Sequence, residues 1–329
     1  MDWMDVLASA LRSSLGPAAA VYALAAIGLN VHYGYTGLLN FGQVGFMLVG
    51  AYGVGIGVQL LGLPYLVGIV MSLGFALILA VLLGVPTLRL RADYFAITTI
   101  ATAEILRIVI RSGPFEPLTG GVYGLQAFAQ EFYAWNVIPA GRYELWLLSY
   151  THQNLWMMLV TWTLVALVSL AVLLLMRSPW GRVIKSIRED EDAARSLGKN
   201  AFGYKMQSLM IGGAIGGLAG AMFATSGQSA HPDSYLPQLT FFAYTVLIMG
   251  GAVTIIGPII GSVIFWFIIA SSDTILRQAS SADLLPAMLA RPESVGAVRL
   301  IIVGLALMLL MIFRPQGMFG NKREMQLDA

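Results

Sequence analysis

The chain has 329 residues, 58% hydrophobic and only 11% charged, with a mean hydropathy of +0.77 and a net charge of +2. A soluble domain carries roughly 25% charged residues, so this balance excludes an ordinary globular fold and predicts an all-α, polytopic membrane helix bundle. The small net charge offers no basic face for nucleic acid, and the lack of cysteine excludes disulfides, thiolate metal sites and thiol chemistry.

The opening MDWMDVLASALR places two acids before its first base, Arg12. That is the wrong charge for the leading part of a cleavable signal peptide, so the first apolar stretch is expected to stay in the protein. A span needs roughly 20 apolar residues. Nine segments qualify: 15–34, 38–61, 65–87, 93–111, 154–176, 204–227, 238–256, 258–277 and 296–313. The second, and the pair 238–256 and 258–277, are broken by glycine, which leaves a partly re-entrant course open to them. No polar stretch is long enough for a soluble domain, so 1–329 form one transmembrane domain, with an outer loop at 112–153 and a charged inner loop at 177–203.

Residues 28–57, GLNVHYGYTGLLNFGQVGFMLVGAYGVGIG, combine many glycines with a polar cluster of Asn30, His32, Tyr35, Thr36, Asn40 and Gln43. Gly45, Gly53 and Gly57 recur at helical spacing and would let a second helix approach closely. Two readings of the polar groups stand: a hairpin near an interface, which suits His32, or a broken segment along a solute pathway, which suits Asn40 and Gln43. His32 has no second ligand at metal-binding spacing.

Arg89 and Arg91 mark the inner end of the fourth segment, and Thr98, Thr99, Thr102 and Glu104 lie along it as further candidates for the pathway. An acid inside a span is a functional candidate by default. Glu104, however, sits one turn from Arg107, and an i,i+3 pair near the outer interface is the simpler expectation. Without a second intramembrane carboxylate there is no proton-relay chain. In the outer loop, Leu118–Gly124 is a glycine-rich turn whose Thr119, Gly120 and Gly121 are candidate contacts for an external binding protein. The aromatics Phe128, Phe132, Tyr133, Trp135, Tyr143 and Trp146 predict a loop lying on the membrane surface.

Charge is expensive in hydrocarbon, so RSPWGRVIKSIREDEDAARSLGKNAFGYK, residues 177–205, must lie outside the bilayer. Ser178 is expected to cap a helix whose first turn holds Pro179. Asp190 begins a second helix with Glu191 and Asp192 in its first turn, and Gly198 ends it. Ala193, Ala194 and Leu197 are expected on one small apolar face. The stretch beyond it carries the small-residue faces Gly213/Gly217 and Gly216/Gly220, then an outer turn at His231-Pro232-Asp233. LIMGGAVTIIGPIIG, residues 247–261, is a second Gly/Pro-broken segment, and FRPQG, 313–317, is an inner stop.

With the charged loop placed inside, twelve bases fall inside: Arg89, Arg91, Arg177, Arg182, Lys185, Arg188, Arg195, Lys199, Lys205, Arg314, Lys322 and Arg323. Seven fall at outer ends: Arg12, Arg107, Arg111, Arg142, Arg277, Arg291 and Arg299. That bias predicts the first residue outside and the last inside.

The Asp192-Ala193-Ala194-x-x-x-Gly198 pattern resembles the coupling loop of ABC importer permeases, with Asp where Glu is usual. Six segments in order are similar to the branched-chain amino acid ABC transporter permeases, specifically the larger of their two permease subunits. They are GLNVHYGYTGLLNFGQVGFMLVGAY, LRLRADYFAITTIATAEILR, LTGGVYGL, residues 177–205, MGGAVTIIGPIIG and FRPQGMFG. Gln43 departs from the pattern, since His is the commoner residue there.

The resemblance implies one half of a translocation pathway in a bacterial cytoplasmic membrane. The implied partners are a second homologous permease, two ABC ATPases and an extracytoplasmic binding protein. It implies that Arg182, Arg188, Glu191, Asp192, Ala193, Ala194, Leu197 and Gly198 form the seat for the ATPase. No Walker A sequence is present, so ATP would be used by the partners and no cofactor bound here; the chain is not expected to be an enzyme. Similar subunits import urea and short amides, an alternative substrate class. A self-sufficient secondary carrier or channel is the rival of a different class, against which the missing paired acids and the Asp-Ala-Ala loop both count.

Overall fold

A helix that is apolar on every side must be buried on every side, and residues 17–29 obey this rule: every position from Ala19 to Leu29 is buried. The computed structural model describes residues 3–145, 148–282, 292–314 and 316–320. Trp146, Arg291, Pro315, Lys322 and Arg323 lie outside the described residues.

In chain order the helices begin with α1 (Trp3–Leu15), α2 (Pro17–Leu29), α3 (Gln43–Gly55), α4 (Tyr65–Thr87) and α5 (Ala92–Arg111). The short α6 (Glu116–Thr119) and α7 (Gln130–Ala134) precede α8 (His152–Arg177), α9 (Pro179–Glu189), α10 (Glu191–Ser196) and α11 (Ala201–Gly227). Then come α12 (Gln238–Gly250), α13 (Gly257–Ser281) and α14 (Pro292–Phe313). π-Helical stretches at Asn30–Tyr35 and Ile56–Leu60 continue α2 and α3. Four short strands join loops: β1 (Leu125–Gln126) pairs antiparallel with β4 (Ser229–Ala230), and β2 (Arg142–Leu145) with β3 (Leu148–Thr151).

Helix α2 is the hub, with α8, α11, α12 and α13 around it; α3 packs between α11, α4 and α5, and α14 leans on α13. The bundle has two distinct ends. One gathers residues 36–42, 88–91, α9, α10, 251–256 and 316–320; the other gathers the α1–α2 corner, the 112–151 loop and the 228–236 turn.

Among the described residues, six helices are long and apolar enough to cross a membrane, or seven if the α1–α2 pair, bent by 44°, is one span. The polytopic helical fold is therefore as expected, but the count of nine is not reproduced by length and apolarity. Helix α5 carries Asp93, Glu104, Arg107 and Arg111. Helix α12 stops after 13 residues because Gly251 turns the chain at φ +112°, so residues 251–256 are loop rather than the end of a span. Expected segment 15–34 matches α2 plus its π-helical stretch, while α1 was not among the expected elements.

The seam between α3 and α11 is made almost without side chains. A Cβ at Gly50 would overlap the Gly217 backbone, one at Gly220 the Met47 carbonyl, and one at Gly213 would stand 2.6 Å from the Phe46 ring. Gly53 and Gly57 instead meet α4 at Ser72 and Gly68, and Gly45 meets Ala103 of α5. The small-residue patterns thus serve three neighbours, and such contact is the main source of helix attraction where hydrocarbon surrounds the bundle.

Candidate functional site

The break between α2 and α3 brings six polar side chains below the bundle surface, and each finds partners. His32 is fully buried. Its Nε2 lies 3.2 Å from the Leu209 carbonyl and its Nδ1 3.0 Å from Asn40 Nδ2. A carbonyl only accepts, so Nε2 carries the proton and Nδ1 accepts from Asn40. Asn40 Nδ2 also donates to Gln43 Oε1 at 3.2 Å, and its Oδ1 accepts from the Gly42 N–H at 2.9 Å. Gln43 Nε2 lies 3.4 Å from both the Ala25 and Gly212 carbonyls. Thr36 and Ser208 share a 2.5 Å hydrogen bond. Asn30 clamps the loop after α12, donating to the Thr254 carbonyl at 2.8 Å and accepting from Val253 N–H at 2.9 Å.

This arrangement corrects one expectation. Asn40 and Gln43 are fully buried and directed at other parts of the same chain, so they brace the broken segment rather than wall an opening. His32 belongs to the same brace. Buried polar groups must be satisfied, and a chain that leaves helical geometry inside a bundle has to supply partners for its freed peptide groups.

Helix α5 is different. Thr99 is buried and receives the Phe41 N–H at 3.1 Å. Thr98 and Thr102 are half-buried, with hydroxyls donated to carbonyls one turn back at 2.7 and 2.8 Å. On the same helix Tyr94, Ile97, Ile105 and Ile108 are exposed. Glu104 makes a bidentate pair with Arg107 at 2.6 and 2.9 Å, and Arg107 also reaches Asp233 at 2.7 Å. The expected i,i+3 pair is present, and Asp233 of the outer turn extends it across the chain.

The charged loop folds as two short helices. Asp190 Oδ1 caps α10 by accepting the Ala193 N–H at 2.9 Å. Gly198 closes it at φ +76°, with its N–H on Arg195 and the Lys199 N–H on Ala194, a geometry open to a residue without a side chain. Ser178 departs from its expected part: Pro179 does start α9, but the Ser178 hydroxyl donates back to the Leu175 carbonyl at 2.6 Å instead of capping it.

The face expected to hold Ala193, Ala194 and Leu197 together is split. Ala194 is buried against Ile187 and Ala201 in a small core shared by α9, α10 and α11, whereas Ala193 is exposed and Leu197 is 80% exposed. Helix α10 ends at Ser196, and Leu197 is already its C-cap at φ -83°, ψ 13°, so the chain leaves helical geometry before the third position is reached. Glu191 also points inward, held by Lys205 of α11 and by Arg195 at 2.7 Å. Arg188 Nη1 donates to the Gly34 carbonyl at 2.7 Å. Arg182, Asp192, Ala193, Leu197 and Gly198 face outward. A cavity of about 190 Å³ separates this pair of helices from the turn before α5, between Gly37, Leu88, Arg91, Glu191 and Lys205.

At the other end, Thr119 is buried, its hydroxyl shared between the Ile110 and Phe115 carbonyls at 2.7 and 2.9 Å, and Gly121 is buried as well. Both are committed to the turn's own structure. What that turn offers outward is Val122, 47% exposed, and Tyr123, 75% exposed.

A family model described as "Branched-chain amino acid transport system / permease component" matches residues 15–313. The chain belongs to that family. The permease is 28% identical over 317 residues to the "High-affinity branched-chain amino acid transport system permease protein LivM" of Escherichia coli (strain K12), covering 92% of this chain and 68% of the relative. It is 24% identical over 337 residues to the "Probable branched-chain amino acid transport permease protein LivM" of Methanocaldococcus jannaschii, covering 92% and 91%. A weak structural likeness links it to PsaBC from Streptococcus pneumoniae in complex with Fab, at a TM-score of 0.42 and 16% identity over 97% of this chain and 95% of that one.

Sequence reasoning about the permease missed Ser208, Thr240 and Arg188 as partners of the broken segment. Ser208 bonds Thr36 and Thr240 receives the Val44 N–H at 2.9 Å. Their partners lie more than 150 residues away, and a lone hydroxyl in an apolar helix gives no local sign of where it points.

Proposed function

We propose that the permease forms half of the pathway of an ATP-driven importer for branched-chain amino acids, in a bacterial cytoplasmic membrane. It works there with a second homologous permease, two ABC ATPase subunits and an extracytoplasmic binding protein. It binds no cofactor, and ATP is used by the partner subunits. The end bearing α9 and α10 faces the cytoplasm, as the positive-inside bias requires.

The observation that carries the coupling part of this reading is the two-sided build of α9–α10. One side is welded to the bundle through Ala194, Glu191 and Arg188; the other presents Arg182, Asp192, Ala193, Leu197 and Gly198 to solvent. An exposed leucine beside a backbone bare of side chain at Gly198 suits a groove on another protein. Motion of that partner is passed inward by Arg188 to the π-helical stretch. Thr98 and Thr102 of α5, whose hydroxyls are satisfied within the helix, are assigned to the pathway wall. Asn40 and Gln43 support it from behind, and Val122 and Tyr123 take the place of the buried Thr119 and Gly121 as the contact for the binding protein.

The test is to tag the permease, solubilise its native membrane in mild detergent and identify what co-purifies. A second permease with two ATPases is the expected result. The companion binding protein is then titrated with leucine, isoleucine, valine, urea and short amides. Recovery of the chain alone, moving solute in liposomes without ATP, overturns the importer reading in favour of a carrier.

A further inference from the structure

At the end remote from α9 and α10, a cavity of about 440 Å³ opens between the α1–α2 corner, the β2–β3 hairpin, the start of α8 and Trp266 of α13. Two of its walls are arginines, Arg12 and Arg142. Both are exposed, and neither forms an ion pair among the described residues. The contrast with their neighbours is informative: Arg107 and Arg111 at the same end converge on Asp233, and Arg107 also on Glu104.

The rest of the cavity is built for a negative group. Tyr150 is buried, and its hydroxyl donates to the Arg12 carbonyl at 3.0 Å, fixing the base of one arginine. Burial pushes the Tyr150 phenol up in pKa, and the Arg12 charge opposes that shift. Thr151 caps α8 here, so the positive end of a 26-residue helix dipole adds to the field. The Trp266 ring, held edge-on by Tyr22 at 5.5 Å, gives the cavity a rigid apolar wall.

Depth and surroundings narrow the class of ligand. Helix α8, long and apolar enough to cross a membrane, begins at the cavity, which puts it at the level where that span leaves the hydrocarbon and headgroups begin. Directly below its Gly16 edge, Leu15 is 39% exposed and accepts at its carbonyl from Trp162 Nε1 at 2.8 Å; one turn along α8, Leu159 is 49% exposed. An apolar skirt therefore runs down from two cations that have no ion pair among the described residues.

We propose that this cavity binds the phosphate of an anionic phospholipid, with Arg12 and Arg142 on the phosphate oxygens and the acyl chains along Leu15 and Leu159. Arginine matches phosphate geometry well. A carboxylate on a docking protein would meet the cations but has no use for the apolar skirt. The placement rests on the membrane reading above, not on the importer reading.

The test uses the full-length permease, in whatever complex it purifies with, delipidated in phosphate-free detergent. Thermal melting is followed against short-chain phosphatidylglycerol, short-chain phosphatidylcholine and inorganic phosphate, with native mass spectrometry counting retained lipid. Phosphatidylglycerol is expected to raise the melting temperature of the wild type. R12Q/R142Q should need about tenfold or more lipid for the same shift, and R12K/R142K should recover much of it. If the double variant fails to elute as a monodisperse species, R142Q alone, on the exposed hairpin, gives the same comparison. An equal shift from inorganic phosphate at matched concentration would support the anion site but reassign its source from lipid to free phosphate. Equal responses of wild type and R142Q to every probe would overturn the proposal. So would loss of external binding-protein capture with phosphatidylglycerol binding intact, which would make the arginines a protein contact.

Discussion

Arg188 and Gly34, 154 positions apart, are joined by a 2.7 Å hydrogen bond from a guanidinium to a main-chain carbonyl. The bond ties the last turn of α9 to the wide π-helical turn that follows α2. A charge-assisted bond contributes roughly 1.5–3 kcal/mol, enough to decide whether a displacement of α9 is followed by the broken segment. Arg188→Met is expected to leave the permease inserted and its partners bound, while transport per ATP hydrolysed falls by about tenfold. Arg188→Lys should restore part of it. Reconstituted transport and ATPase rates check this, and an unchanged ratio would remove Arg188 from the coupling route.

The split face of α10 gives a pair of opposite outcomes. Leu197 is 80% exposed, so Leu197→Ser should weaken ATPase capture with a change in permease stability within about 0.5 kcal/mol. Ala194 is 3% exposed, so Ala194→Leu should instead destabilise the loop by about 1–3 kcal/mol through overpacking. Pull-down of the ATPase beside proteolysis of the 178–200 region separates the two. Equal effects in both assays would contradict the geometry.

Asn40 bridges His32 and Gln43 and also holds the Gly42 N–H. Asn40→Ala leaves several buried polar groups without partners, a loss of about 1–3 kcal/mol for each. The variant is expected to melt well below the wild type in detergent. Thr98→Ala, which removes only a hydroxyl bonded within its own helix, should barely move the melting temperature. If Thr98→Ala also lowers transport, the assignment of α5 to the pathway gains support.

Gly50→Val and Gly220→Val each force a side chain into backbone across the α3–α11 seam. Neither neighbour can yield, since the obstruction is main chain. Both variants should lose at least the 1–3 kcal/mol typical of an overfilled core and insert with poor yield. Gly74→Val, where a Cβ meets nothing within 4 Å, should be silent. Detergent melting curves for the three variants give the comparison.

Local chemistry made parts of this structure readable in advance. Asp190, Gly198 and Pro179 act within a turn of themselves, so the ends of α9 and α10 followed from sequence. The Glu104–Arg107 pair is likewise one helical turn. The small-residue faces of α11 were legible as faces, though not which helix each would meet. What escaped depends on long-range pairing. Nothing near Asn40 says that His32 will consume its amide, nothing near Ala194 says that Ala201 will cover it, and nothing near Arg12 says that Arg142 will stand beside it. Membrane-depth polarity signals that a residue has a task, yet bracing a break and lining a pathway have the same composition.

The seam between α3 and α11 has a mechanical meaning. Side chains between helices act as soft padding, because rotamers can shift and absorb a load. Here backbone meets backbone at Gly50, Gly217 and Gly220, and little compliant material lies between. The two helices therefore behave as a single stiff beam. A load applied at the start of α11, where Lys205 holds Glu191 of α10, arrives at the far end of α3 with little of it lost on the way.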